Sequence, residues 1–190
     1  MPILLTSGWK VPCKDTLGGM RKVYLAAYTF YTSGEFGFDG SVLTSIPTTF
    51  VHEFELNGSN NSFSDRYDGE SYSQSLTLEF KKKDVETSFE MERLNYLELR
   101  ALVQDRNGNY LVLGLENGLS CDSLDIITGG SKSDFNGYRL SLSGKEQLAA
   151  PIVLDPFENG FIIDEGETDY YQFQNLEAFH FQDGTIYEFN

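Results

Sequence analysis

The chain has 190 residues, 40% of them hydrophobic, and a formal net charge of −15, with 29 Asp and Glu against 14 Lys and Arg. That length fits one domain with arms or a small appendage. So few cations argue against a protein that grips phosphate backbones, and no apolar run is long enough to span a membrane.

Fifteen Phe, eleven Tyr and eighteen Gly point to strands and turns rather than a helical bundle. Met1 to Arg21 has no steady period and is broken by Gly8, Pro12 and Gly18-Gly19, so it reads as an N-terminal arm. It also lacks a basic stretch followed by a long apolar one, so no secretory leader is expected. Lys22 to Tyr31 reads as a strand, Ser33 to Ser45 as a loop, and Ile46 to Leu56 as a strand with Pro47 near its start. Asn57 to Ser71 is polar and turn-rich and reads as a long loop of the kind that becomes ordered against a partner. Ser73 to Lys81 alternates Leu76, Leu78 and Phe80 with Thr77 and Glu79, the pattern of a half-buried strand.

Asp84 to Tyr96 is Glu-rich, and Val85, Phe89 and Tyr96 share a helical face, so this is the expected single helix, with Asp84 as a candidate cap. Leu97–Gln104 and Tyr110–Leu115 read as a hairpin about Asn107-Gly108, which supplies the positive φ such a turn needs. Asp122–Thr128 and Tyr138–Ser143 read as a second hairpin. Gln147–Leu154 reads as an edge strand, where Pro151 is tolerated. From Asp155 the chain turns acidic and reads as a C-terminal arm carrying short strands at Tyr170–Phe173, Ala178–Phe181 and Thr185–Phe189. The expected organisation is an arm over 1–21, a β-sandwich over 22–154 and an arm over 155–190. The fold class is all-β with one short helix, an antiparallel sandwich or barrel of roughly eight to ten strands.

No catalytic motif stands out. There is no nucleophile elbow, phosphate loop or dinucleotide fingerprint, and His52 and His180 lack a recognisable partner. Two carboxylates suffice for glycoside hydrolysis. The clusters Asp65/Asp68/Glu70 and Asp164/Glu165/Glu167 nonetheless read first as solvated loops in so acidic a chain. Cys13 and Cys121 are the only cysteines; they allow one disulfide but read first as two reduced, packed thiols. No catalytic residue, metal or cofactor is expected. Trp9, Tyr67, Tyr72, Tyr170, Tyr171 and Tyr187 offer an alternative: a sugar-stacking platform on a carbohydrate-binding β-sandwich module of a host-recognition protein.

ALVQDRNGNYLVLGLENGL (Ala101–Leu119), NGYRLSLSGKE (Asn136–Glu146) and APIVL (Ala150–Leu154) follow a strand and a charged segment. Ahead of them lies an arm with a Cys and a Gly-Gly before KVYLAA. Over roughly residues 10–154 this order resembles the tail-tube-type virion proteins of tailed bacteriophages, notably those of phages of Bacteroidetes hosts. The resemblance implies a β-sandwich with a flanking helix, made in the host cytoplasm and located in the virion tail or neck. It implies assembly into hexameric or dodecameric rings stacked on adjacent tail or head–tail connector rings, with DNA passing through the lumen unbound. Loop and arm positions then make Trp9, Asn57, Asn60, Phe63, Tyr67, Asp68, Tyr170 and Tyr171 the candidate inter-ring or inter-subunit contacts. The net charge suggests an acidic lumen from which DNA slides free. After Asp155 the chain runs beyond the resemblance, which leaves open a connector ring, a tail terminator or an externally decorated tube.

Overall fold

A computed structural model describes residues 17–56, 60–83, 85–164, 179–180 and 186–187. Alternating apolar residues produce strands throughout: β1 (Met20–Ala27), β2 (Gly37–Asp39), β3 (Val42–Ser45), β4 (Thr49–Glu55), β5 (Ser62–Tyr67) and β6 (Tyr72–Lys81). The helix α1 (Val85–Leu94) follows. Then come β7 (Leu99–Asp105), β8 (Tyr110–Leu113), β9 (Ser120–Ile127), β10 (Gly137–Glu146), β11 (Ile152–Val153), β12 (Phe161–Ile163), β13 (Phe179–His180) and β14 (Ile186–Tyr187). The expected all-β class with one helix is observed.

The strands form an eight-stranded sheet, ordered β12-β4-β1-β7-β8-β11-β3-β2, and a four-stranded antiparallel sheet, ordered β5-β6-β10-β9; β13 and β14 pair with each other. Period-two alternation gives the large sheet two buried faces. Val23, Leu25, Ala101, Val103 and Leu113 meet Leu76, Leu78, Leu140 and Leu142 of the small sheet in one core. Their chain neighbours Tyr24, Ala26, Leu102 and Val112 point the other way, into a second core with Leu43, Ile46, Val51 and Phe161. The second core exists because the large sheet curls until its ends approach. Ile46, just past β3, donates its N–H to the carbonyl of Asn159, just ahead of β12, at 3.1 Å.

Several expectations are corrected. The first strand starts at Met20 and stops at Ala27, where Tyr28 turns its N–H to the Glu98 carbonyl. The expected loop at 33–45 contains a 3-10 turn (Ser33–Glu35) and the β2–β3 hairpin. The 57–71 loop contains β5, since Phe63 packs on the inter-sheet core opposite Leu76. β11 is interior: it pairs with β8 and, in parallel, with β3, and the Pro151 carbonyl accepts from Val112. Residues 155–164, read as the start of an arm, are built into the fold. Phe161 is 1% exposed and β12 runs parallel to β4. The helix is where the sequence puts it but turned: Met91 is buried and Leu94 packs with it, whereas Phe89 and Tyr96 face outward. Asp84 and the expected strand at 170–173 lie outside the described residues.

Candidate assembly interface

Of the eight candidate contacts, Asn60, Phe63, Tyr67 and Asp68 are described; Trp9, Asn57, Tyr170 and Tyr171 lie outside the described residues. The four do not form one patch. Phe63 points inward to the core. Asn60 precedes β5 and its Nδ2 donates to both Glu79 carboxylate oxygens, at 3.2 and 3.1 Å. Tyr67, at the other end of β5, lies 5.1 Å from Tyr72 ring to ring and donates its hydroxyl to the Gly69 carbonyl. Asp68 closes the β5–β6 turn. Backbone N–H groups of Ser71 and Glu70, helped by Lys145 Nζ at 3.4 Å, hold its carboxyl well below the usual carboxylate range.

Among the described residues the small sheet has two edge strands, β5 and β9, with no further strand paired to them. β5 runs antiparallel to β6, β6 to β10 and β10 to β9, so the two edges point in opposite directions. β9 spans eight residues and is largely exposed, with Ile126 56% exposed. Its pairing with β10 shifts register between Ser141 and Leu142, which leaves Asp122 as the extra residue of a bulge. Asp122 accepts a bond from the Ser143 hydroxyl at 2.9 Å. The sequence gives β5 away only weakly, through the alternation Ser-Phe-Ser-Asp-Arg-Tyr with a single large apolar residue inside.

Glu79, whose side chain is 3% exposed, takes Arg139 Nη2 at 2.6 Å and Nε at 3.0 Å on one oxygen. Glu146 accepts the N–H groups of Glu116 and Asn117; burial raises its pKa against those bonds. Asp65 accepts from Ala150 N–H at 2.7 Å and so belongs to the sandwich. Cys121 is a free, partly buried thiol whose pKa burial raises.

A cavity of about 750 Å³ opens between α1 and β4, floored by Leu25, Phe54, Phe80 and Met91 and rimmed by His52, Lys81 and Arg93. His52 lies 4.0 Å from Asp164, and both side chains are about half exposed. Among the described residues no cluster of three or more His, Cys, Asp or Glu could hold a metal, and no described helix is long and apolar enough to cross a membrane.

No family model, curated protein or solved structure matches this chain.

Proposed function

We propose that the chain is a structural subunit of a tailed-phage tail or neck ring, lining the DNA ejection channel and stacking on adjacent rings. The observation that carries this reading is the pair of open, oppositely directed edges on the small sheet. When β5 of one copy meets β9 of the next, head to tail, the junction is antiparallel like every other junction in that sheet. Repetition then either closes a ring or grows a filament, and closure removes edges that otherwise invite aggregation. Six copies would give a barrel of roughly 24 strands, about 45–50 Å across the backbone at ordinary strand spacing and tilt. The large sheet is unsuited to this role because its ends already approach each other.

Negative-stain microscopy with single-particle mass measurement on the concentrated full-length protein tests the proposal. Closed rings of six or twelve copies are the expected result. A particle that stops at two copies, or a monomer that binds glycans on an array, overturns it.

A further inference from the structure

The cavity between α1 and β4 is apolar at its base and cationic at its mouth. Among the described side chains of α1 only Met91 is buried, so the helix stands on one anchor and leaves about 750 Å³ beside it. That volume falls within the roughly 300–1,000 Å³ of small-molecule sites. Leu25, Phe54, Phe80, Met91 and Leu94 form the base, and none of these side chains carries a nitrogen or oxygen atom. The charged or titratable side chains that line the cavity, His52, Glu55, Lys81, Glu90 and Arg93, are all exposed and so stand at the mouth. Glu90 is spent on Arg93 at 3.3 Å, and His52 faces Asp164 at 4.0 Å. Lys81 forms no ion pair among the described residues, and neither do Lys82 and Lys83, which follow it. Lys82 takes φ +72° with its N–H on the Asn136 carbonyl, which turns the chain at this point. Three uncommitted lysines thus accompany Glu55 here, in a chain whose net charge is −15.

We propose that this cavity binds a free fatty acid, with its alkyl chain on the apolar base and its carboxylate at Lys81. Ring assembly is not required for it. An alkyl chain needs no hydrogen-bond partner, so a base without polar atoms suits it. A sugar or nucleotide would lose its bonds to water there without replacement. Each buried methylene is worth roughly fourfold in affinity. The carboxylate stays in water at the exposed mouth, where a surface ammonium attracts it only modestly. Chain length therefore sets the affinity, and the lysines set which sign of head group is accepted.

NMR of the full-length protein, labelled with carbon-13 at its methionine methyl groups and titrated with dodecanoate below its micelle concentration, tests the proposal. Met91 lies in the cavity base, while Met20 lines a separate cleft beside β5 and serves as the internal control. Met91→Leu assigns the signal. A saturable shift of Met91 with Met20 unmoved is expected. Decanoate, two methylenes shorter, should bind more than about tenfold more weakly. Lys81→Glu, at an exposed position, should weaken dodecanoate about threefold or more, and dodecyltrimethylammonium should bind more weakly than dodecanoate. A Met91 signal that ignores dodecanoate, that moves equally with dodecyltrimethylammonium, or that moves only together with Met20 overturns the proposal. So does a Met91 response seen only on raising the protein concentration or on adding phosphatidylglycerol vesicles, which would assign the cavity to a second copy or to a bilayer.

Discussion

The guanidinium of Arg100 lies over the ring of Tyr31, its central carbon 4.8 Å from the ring centroid, and 5.2 Å from that of Tyr28. Arg100 is 1% exposed, and its Nη2 donates to the carbonyls of Leu115 at 2.8 Å and Thr29 at 3.1 Å. Burial lowers its pKa, and the two aromatic faces offset part of that cost. It thereby ties the segment after β1 to the segment after β8. Arg100→Ala is expected to destabilise the fold by about 3 kcal/mol, through two unpaired carbonyls and a cavity. A double-mutant cycle with Tyr31→Leu in urea is expected to show a coupling of about 1 kcal/mol. Additive effects would mean that the ring does not contribute to holding the cation.

Glu79 and Arg139 form an ion pair across β6 and β10. Removing the cation leaves a carboxylate whose side chain is 3% exposed with Asn60 Nδ2 as its remaining described side-chain donor. Arg139→Ala is therefore expected to cost about 3 kcal/mol, and Glu79→Leu with Arg139→Met to recover most of it. Urea midpoints of the three proteins provide the comparison.

Gly160 holds the β12 end of the curl against Ile46. Its φ is +114°, and a Cβ there would lie 2.1 Å from the Ile46 carbonyl oxygen. Gly160→Ala is expected to lower stability by more than about 2 kcal/mol. Hydrogen exchange should quicken at Ile46 and Thr49, whose N–H groups bond to the carbonyls of Asn159 and Gly160, before it does in β6 or β10.

Glu146 sets a pH dependence of definite sign. Its folded pKa is raised above the ordinary value of 4.5 by burial. The stability it contributes is fully present below that ordinary value and is lost as pH rises through the folded one. Glu146→Gln removes this titration, so the variant's stability curve should be flatter than that of the parent as pH rises above 4.5. Parallel curves would show that Glu146 keeps an ordinary pKa in the fold.

How much of this was legible in the sequence varies with what sets each element. The β7–β8 hairpin was plain because its turn is local chemistry: Gly108 takes φ +90°, and Asp105 gathers the N–H groups of Asn107 and Asn109. β6 and β10 were plain because one face is apolar and the other polar. β5 was hidden because Phe63 alone marks its inner face, and tertiary pairing with β6 outweighs the turn-forming composition around it. β11 looked like an edge because Pro151 suggests one; only the fold reveals neighbours on both sides. The helix was placed but misfaced, since Met91 rather than Phe89 finds the core. Of the candidate contacts, Phe63 and Tyr67 fall on the edge strand β5, although the composition around them reads as a loop. Cross-strand rows such as Ser62, Thr77, Ser141 and Ser123 were invisible because they exist only between strands distant in sequence.

The most direct measurement of the ring claim is a cysteine cross-link between β5 and β9 of different copies. In a background with Cys13→Ser and Cys121→Ala, one cysteine replaces Ser62, Ser64 or Arg66 and a second replaces Ser120, Ser123 or Asp125. A short bifunctional thiol reagent is then applied. The head-to-tail junction predicts that pairs in register give a covalent ladder ending at six or twelve copies, while single-cysteine controls give none. A ladder that stops at two copies, or dimers from β9 single cysteines alone, would contradict the account.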